Sequence, residues 1–158
     1  MSKILITGSG KGLGKAMKDK LQRQGHTVID FNLESGDDVR KAKTASSINV
    51  DVLINNAGVN IINWLENFEE SDWDKVMDTN AKGIYMMTKA CLPSLIENKG
   101  TVLNIVSNAA HMPMTCSLAY NASKGAAHIM TLQLARELTK KHGITVFGIA
   151  PNKLSGTG

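Results

Sequence analysis

A tyrosine followed four residues later by a lysine, Tyr120 and Lys124, is the most reactive pattern in the sequence. Residues four apart on a helix are surface neighbours, so the ammonium of Lys124 can lie beside the phenol and favour its ionised form. A phenol placed in this way can act as a general acid or base near neutral pH. The same spacing also arises by chance on exposed helix faces, so the rest of the chain decides its meaning.

A glycine-rich turn follows the first predicted strand. Residues 3–7 form a short apolar run, and Gly8, Gly12 and Gly14 come directly before a helical pattern. In such a turn Gly8 permits the tight bend, Gly12 lets backbone approach a pyrophosphate, and Gly14 lets the helix lie close to the strand. The phosphates would rest on the helix N-terminus. This strand, turn and helix predict a dinucleotide site.

The second predicted strand, residues 26–30, brings Asp30 to its carboxyl end, 16 residues after Gly14. A carboxylate at that place can accept hydrogen bonds from ribose hydroxyls, which favours NAD over NADP. The alternative is a solvent-exposed acid with no ligand. Lys11 keeps NADP open, because a cation inside the glycine turn could attract a 2′-phosphate.

Three further apolar runs predict buried strands at residues 50–54, 101–106 and 144–149, and helical patterns begin near Ser71 and Tyr120. Strands that alternate with helices predict a parallel sheet. We expect a three-layer, Rossmann-like, doubly wound α/β fold with a mostly parallel sheet of five or six strands. The length predicts one domain, residues 1–158.

Small and polar residues follow two of these strands. Asn56, Ala57 and Gly58 suit the close passage of a cofactor and the tying together of neighbouring strands. Ser107 follows the strand at 101–106, at the end where ligands of doubly wound sheets bind. Asn80 interrupts the apolar pattern of the helix that begins near Ser71, and a buried amide must find partners. It is therefore either a structural hydrogen-bonding residue or the holder of a water near the site.

The helix that begins near Ser71 carries Trp73 and Tyr85 at helical spacing, which predicts core or subunit-interface positions. Pro93 and the turn at 98–100 are expected to end it. Earlier in the chain, Asp37 or Asp38 could cap a helix through residues 40–46.

Composition excludes several classes of function. The net charge of +4 is spread along the chain, without the clustered arginines and stacking aromatics of nucleic-acid binding. The two cysteines lack metal-ligand spacing and predict reduced thiols. No apolar run approaches the length of a membrane span, and Met1 leads directly into the first strand. We therefore expect a soluble, cytoplasmic protein without a metal site.

Together these motifs resemble those of the short-chain dehydrogenase/reductase family, in the single-domain branch that carries T-G-x-x-x-G-x-G, N-N-A-G and Y-x-x-x-K. The matching positions, in chain order, are residues 7–14, 55–58, Trp73-Asp74 with Asn80, Ser107, and Tyr120 with Lys124.

The resemblance implies an NAD(P)-dependent oxidoreductase that interconverts a carbonyl and an alcohol. Tyr120 would be the acid/base, and Lys124 would shift its ionisation and hold the nicotinamide ribose. Ser107 would bind the substrate oxygen, and Asn80 would anchor a water that links Lys124 to solvent. The implied cofactor contacts are Gly8, Gly12, Leu13, Gly14, Asp30, Asn56, Ala57, Gly58, Tyr120, Lys124 and Pro151.

The sequence also departs from the family. Family members are usually longer, so the resemblance predicts a compact chain or one without the substrate-covering region after Pro151. Asn152 replaces a familiar glycine, although Ser155 could still reach the nicotinamide amide. Two alternatives stay open: a dinucleotide-binding sensor or vestigial domain without turnover, and nucleotide-sugar epimerase or dehydratase chemistry, which usually has a larger C-terminal domain. The resemblance also implies a homo-oligomer, and a dimer is favoured.

Overall fold

The structure is a computed structural model that describes residues 1–41 and 47–152. Its strands are β1 (Lys3–Thr7), β2 (Thr27–Phe31), β3 (Val52–Asn55), β4 (Thr101–Ile105) and β5 (Thr145–Ile149). They form one sheet in the order β2-β1-β3-β4-β5, and every neighbouring pair is parallel. The predicted Rossmann-like fold is confirmed, with five strands among the described residues.

Helices cover both faces of this sheet because successive strand residues point to opposite sides. Helix α1 (Gly12–Arg23) packs on the face that carries Ile4 and Ile6. The opposite face carries Leu5 and packs against α3 (Gly83–Glu97) and α4 (Leu118–His142). The remaining helix, α2 (Glu70–Met77), contacts α4. The expected three layers are therefore present.

The strand order changes direction at β1. From β1 the chain moves outward to β2 and then crosses to β3 on the other side of β1. In open parallel sheets of this kind, a crevice forms at the carboxyl ends of the two strands where the order reverses. The glycine turn follows β1 and the Asn56–Gly58 segment follows β3, so both border this crevice.

The long helix predicted from Ser71 has a more complicated course. A π-helical turn, Asp78–Lys82, separates α2 from α3. Pro93 lies inside α3, so the expectation that it helps to end the helix was wrong. Proline has no backbone N–H, so the Lys89 carbonyl, four residues earlier, lacks its helical hydrogen-bond donor. Both residues are exposed, so that carbonyl can be hydrated.

The structure excludes the core as the environment of two predicted residues and bears on the two predicted helix caps. Trp73 is 37% exposed and Tyr85 48% exposed, so neither belongs to the core of this chain, although Val76 beside them is buried. A subunit interface at these residues stays a prediction. Of the two proposed caps, Asp38 accepts a hydrogen bond from the Arg40 backbone N–H at 2.9 Å. Residues 42–46 of that expected helix lie outside the described residues.

Candidate active site

The ends of β1 and β3 are tied together by a buried threonine and an asparagine. The Thr7 hydroxyl oxygen accepts hydrogen bonds from the backbone N–H groups of Asn56 at 3.0 Å and Ala57 at 2.9 Å. In return, Asn56 Nδ2 donates to the carbonyls of Thr7 and Gly8, both at 3.0 Å. Sequence reasoning anticipated the strand-linking role of Asn56 and missed that of Thr7. The sequence feature that could have indicated this role is the position of Thr7, directly before the glycine turn.

Helix α1 begins in direct contact with the glycine turn. A β-carbon at Gly14 would lie 2.2 Å from the Gly8 carbonyl oxygen and 2.5 Å from Asn56 Nδ2. No side chain fits in that space, so only glycine allows the helix to approach the turn this closely. The close packing that the sequence predicted for Gly14 is present.

A cavity of about 450 Å³ opens beside the turn, within the usual size range of small-molecule sites. Its lining comes from the glycine turn, the segment after β2, the segment after β3, and the helical residues Lys75 and Thr79. Six of the predicted cofactor residues line it: Gly8, Leu13, Gly14, Asn56, Ala57 and Gly58. We call it the nucleotide cavity. Its glycine-lined wall beside a helix N-terminus fits a dinucleotide.

Asp30 does not line the nucleotide cavity. Strand β2 continues to Phe31, and Asp30 pairs with Ile6 inside the sheet. Its side chain accepts hydrogen bonds from Lys18 Nζ at 2.6 Å and Ser9 Oγ at 2.7 Å. Burial works to raise the pKa of the Asp30 carboxyl, but the hydrogen bonds from Lys18 and Ser9 outweigh it and lower that pKa.

Asp30 therefore lies one residue before the end of β2 with its side chain turned toward Lys18 of α1, and its role as a cofactor contact stays a prediction. The first residue after β2 is Asn32, which lines the nucleotide cavity. Its side-chain oxygen accepts a hydrogen bond from the Ser35 backbone N–H at 3.0 Å. A sequence feature could have indicated the role of Asn32. Apolar Phe31 follows polar Asp30, and this alternation is typical of a strand that continues beyond Asp30.

Charges of both signs surround the outer part of the nucleotide cavity. The Glu34 carboxylate lies against the glycine turn, where a β-carbon at Gly10 would be 2.9 Å from Glu34 Oε2. Arg40 is paired with Asp38, with 2.6 Å between Nη2 and Oδ2. This guanidinium holds the pKa of the Asp38 carboxyl below its usual value. Sequence reasoning assigned no binding role to these three charged residues.

Tyr120 and Lys124 lie side by side on α4, as their spacing predicted. Lys124 Nζ is 5.7 Å from the centroid of the Tyr120 ring and donates a hydrogen bond to the Ile105 carbonyl at 2.8 Å. Lys124 is only 5% exposed. Burial lowers its pKa from 10.5 to about 8, because the charged ammonium loses hydration. Lys124 can therefore exchange a proton close to neutral pH.

The buried amide of Asn80 joins the loop after β3 to α4. Its Oδ1 accepts a hydrogen bond from the Val59 backbone N–H at 2.8 Å, and its Nδ2 donates to the Val59 carbonyl at 2.8 Å and to Ser123 Oγ at 3.0 Å. Ser123 Oγ in turn donates to the Tyr120 carbonyl at 2.8 Å. Of the two roles considered for this side chain, the structure shows the structural one.

Gly58 is the place where the lysine meets the nucleotide cavity. A β-carbon at Gly58 would lie 3.4 Å from Asn80 Oδ1 and 3.8 Å from Lys124 Nζ. Gly58 also lines the nucleotide cavity. A ligand in that cavity can therefore extend past Gly58 toward Lys124 without crossing a side chain at that position.

Ser107 follows β4 and caps a short helical turn, Asn108–Ala110. Its hydroxyl oxygen accepts a hydrogen bond from the Ala109 backbone N–H at 3.1 Å. Asn121, next to Tyr120, donates to the Ala109 carbonyl at 2.7 Å and so holds this turn against α4. The Pro151 carbonyl accepts a hydrogen bond from the Asn108 backbone N–H at 3.2 Å and lies outside the nucleotide cavity lining. Ser155 lies outside the described residues.

Residues 1–41 and 47–152 contain neither a metal-type cluster of three or more side chains nor an apolar helix of membrane-spanning length. No group of three or more His, Cys, Asp or Glu side chains there is arranged to hold a metal ion. No helix in the same residues combines the length and apolarity that crossing a membrane would need.

Residues 34–158 match the family model described as short chain dehydrogenase. A 3-oxoacyl-(acyl-carrier-protein) reductase of Staphylococcus epidermidis is 29% identical, over 93% of this chain and 72% of that protein. An NADP-dependent 3-hydroxy acid dehydrogenase of Shigella flexneri is 31% identical, over 98% of this chain and 73% of that protein.

A solved structure shares the fold. A 4-hydroxyisoleucine dehydrogenase in complex with NADH superposes with a TM-score of 0.86 at 24% identity, over 96% of this chain and 75% of that one.

Proposed function

Because the chain belongs to the short-chain dehydrogenase/reductase family, whose members are NAD(P)-dependent oxidoreductases, we propose that it interconverts a carbonyl and an alcohol. Tyr120 is the acid/base of this proposal. The observation that carries it is the position of Lys124, which is buried beside the Tyr120 ring and against Gly58 of the nucleotide cavity. The nicotinamide cofactor supplies the hydride when bound.

The residues of the chain have separate tasks in this proposal. The Tyr120 hydroxyl gives a proton to the substrate oxygen during reduction and takes it back during oxidation. Lys124, with a pKa of about 8, holds the ribose and passes protons toward Tyr120. The Ser107 hydroxyl, which donates to Asn108 Oδ1 at 3.3 Å in this structure, would turn to donate a hydrogen bond to the substrate oxygen. Because the side chain of Asn80 is occupied by Val59 and Ser123, its main chain would have to anchor the water.

We propose NAD as the preferred cofactor. Asn32 can hydrogen-bond ribose hydroxyls, and the Glu34 carboxylate against the glycine turn would repel a 2′-phosphate. Arg40 could attract such a phosphate, but Asp38 already pairs with it. Lys11, in the glycine turn, could still attract a 2′-phosphate and so favour NADP. A comparison of kcat/KM with NADH and with NADPH decides between the two cofactors.

The proposal is tested by combining a cofactor titration with a substrate screen. Purified protein is titrated with NADH and NADPH by fluorescence and then assayed against a panel of neutral and acidic aldehydes and ketones. Saturable binding with oxidation of the reduced cofactor supports the reductase. Binding without oxidation across the panel would instead favour the dinucleotide-binding sensor.

We propose further that residues 1–158 form one dinucleotide-binding domain and that two copies form a dimer. The exposed apolar side chains Ile129 and Leu132 on α4 support this assembly, because apolar residues that face solvent together favour association. Light scattering measures the mass directly, and a monomer at micromolar concentration would contradict the dimer.

A further inference from the structure

Two histidines, His111 and His128, lie against each other between the turn after β4 and helix α4. His111 directly follows the short helical turn Asn108–Ala110, which Ser107 caps, and His128 lies within α4. Their ring centroids are 4.6 Å apart, and their ring planes meet at 81°. No metal site was expected from the sequence, because the two histidines are 17 residues apart and no ligand motif connects them. We call them the histidine pair.

The separation of the two rings matches that of two imidazoles on one metal ion. A coordinating ring nitrogen lies about 2 Å from the ion, which places the ring centre about 3.2 Å from it. Two such rings at a right angle around the ion have centres about 4.5 Å apart, and at the tetrahedral angle about 5.2 Å apart. The observed 4.6 Å falls within this range. The rings are not stacked face to face, so an in-plane nitrogen of each can point toward a common position.

The ring nitrogens of the histidine pair are not engaged by other groups. Within residues 1–41 and 47–152 the two rings contact each other, and neither takes part in a hydrogen bond or an ion pair. His26, by contrast, accepts a hydrogen bond from the Ser2 backbone N–H at 3.3 Å. His111 is exposed and His128 is partly buried, so water and dissolved ions can reach the pair. Each neutral imidazole therefore has a nitrogen lone pair available to a metal.

Asn121 of α4 holds the backbone around His111. Its Nδ2 donates to the carbonyls of Ala109 at 2.7 Å and Met112 at 3.0 Å, which lie on either side of His111 in the chain. His128 follows Asn121 by seven residues, two helical turns along the same face of α4. The clamped turn therefore keeps His111 next to His128, and an ion would not have to order the backbone before it binds.

We propose that the histidine pair binds one divalent transition-metal ion, with water in the remaining coordination positions. Neutral imidazole suits Zn²⁺, Ni²⁺ and Cu²⁺, whereas Mg²⁺, Ca²⁺ and Mn²⁺ prefer oxygen ligands. Within the described residues no third His, Cys, Asp or Glu side chain completes a metal-binding group around the pair, so ions that prefer oxygen find no carboxylate there. The ion would join the turn that Ser107 caps to the helix that carries Tyr120 and Lys124. This inference does not depend on the proposed function.

Calorimetric titration of the full chain, without an affinity tag, with nickel chloride tests this site. The wild type should bind one Ni²⁺ per chain. His111→Gln and His128→Gln should each weaken binding at least about tenfold, because even the loss of a group that supports a metal ligand costs that much. His142→Gln is the matched control, since it lies on α4 about four helical turns beyond His128, and it should bind like the wild type. Cys116→Ser should do so as well, which excludes that thiol as the ligand.

Stability gives a second measurement, because an ion that binds the folded chain stabilises it by mass action. Saturating Ni²⁺ should raise the urea midpoint of the wild type and of His142→Gln. It should leave the midpoint of His111→Gln unchanged, because that variant keeps only one of the two ligands. Mg²⁺ at the same concentration should raise none of the three midpoints.

The outcomes are decisive in both directions. Unchanged Ni²⁺ affinity in either His111→Gln or His128→Gln would overturn the proposal and reduce the pair to an edge-to-face contact between two rings. Displacement of Ni²⁺ by Mg²⁺, or an equal loss of affinity in His142→Gln, would overturn it too. The titration needs neither cofactor nor substrate, so its result stands whether or not the protein reduces a carbonyl.

Discussion

Tyr85 and Lys89 on α3 repeat the spacing of Tyr120 and Lys124 on α4. The Lys89 Nζ lies 5.6 Å from the centroid of the Tyr85 ring, and the Lys124 Nζ lies 5.7 Å from that of Tyr120. Both members of the α3 pair are exposed, whereas Lys124 is buried. The two pairs thus share their spacing and their cation-to-ring distance and differ in their surroundings.

The surroundings decide what chemistry each pair can perform. The amine of Lys89 is held by the Tyr85 hydroxyl at 3.2 Å in contact with water, where such pairs interact weakly. The amine of Lys124 instead donates to the Ile105 carbonyl, and burial brings its pKa to about 8. Burial and the nearby Gly58 backbone, rather than spacing, distinguish the candidate active site.

The largest difference is expected when the two tyrosine hydroxyls are removed. Tyr120→Phe should lower kcat/KM for carbonyl reduction by about a thousandfold, because the substrate oxygen loses its proton donor. The dissociation constant for NADH should stay within a few-fold of the wild type. Tyr85→Phe should leave both quantities unchanged. A Tyr120→Phe protein with full turnover would refute the assignment of the acid.

Burial of Lys124 should also make the stability of the protein depend on pH. Lys124 has a pKa of about 8 when folded and 10.5 when unfolded. Between these values the unfolded chain binds more protons, so the free energy of unfolding rises with pH. Relative to Lys124→Met, the wild type should gain up to about 3 kcal/mol from pH 8 to 10.5.

Urea unfolding at several pH values measures this gain. Groups other than Lys124 titrate alike in both proteins, so their contributions cancel in this comparison. A flat difference for Lys124→Met would show that its amine is hydrated in the folded protein.

The link between Tyr120 and the loop after β3 can be broken at Asn80. Asn80→Ala leaves the Val59 backbone N–H and carbonyl without their side-chain partners. The free energy of unfolding should fall by about 2 kcal/mol, and turnover should fall with it. Asn60→Ala, at an exposed position of the same loop, is the control and should change neither. Unaltered stability in Asn80→Ala would contradict the proposed anchoring.

The smallest effect concerns the nucleotide cavity, whose lining residue Gly58 lies close to Lys124. Glu34→Gln removes one negative charge from the glycine turn, where a 2′-phosphate would otherwise be repelled. The ratio of kcat/KM for NADPH to that for NADH should rise about fivefold. Glu66→Gln, at an exposed position outside the cavity, should leave that ratio unchanged. An unchanged ratio in Glu34→Gln would place the specificity elsewhere, with Lys11 as the next candidate.

Much of the local structure could be predicted, because it depends on the types of residues that are close together in the sequence. A glycine between a strand and a helical pattern, as at Gly14, suits close backbone packing, and the structure shows that packing in the first turn of α1. The apolar runs predicted all five strands to within a residue or two at each end. A four-residue spacing placed Lys124 beside Tyr120, because helix geometry is the same wherever a helix forms.

Errors arose where one residue of register or a distant partner mattered. Strand β2 extends to Phe31, and that single residue turns Asp30 toward Lys18 and brings Asn32 to the nucleotide cavity. Side chains alternate along a strand, so a shift of one residue exchanges the two faces. The partner of Asn80 is Val59, 21 residues earlier, and no local pattern specifies such a pair.

The sequence by itself determined the fold class and the position of the glycine turn, because these follow from periodicity and from what glycine alone permits, and its motifs indicated the family by resemblance. Only the tertiary structure decided which of the two lysines in the tyrosine–lysine pairs is buried and where Asp30 points. The physical reason is that burial removes water from a charged group, and burial results from packing between residues far apart in the chain.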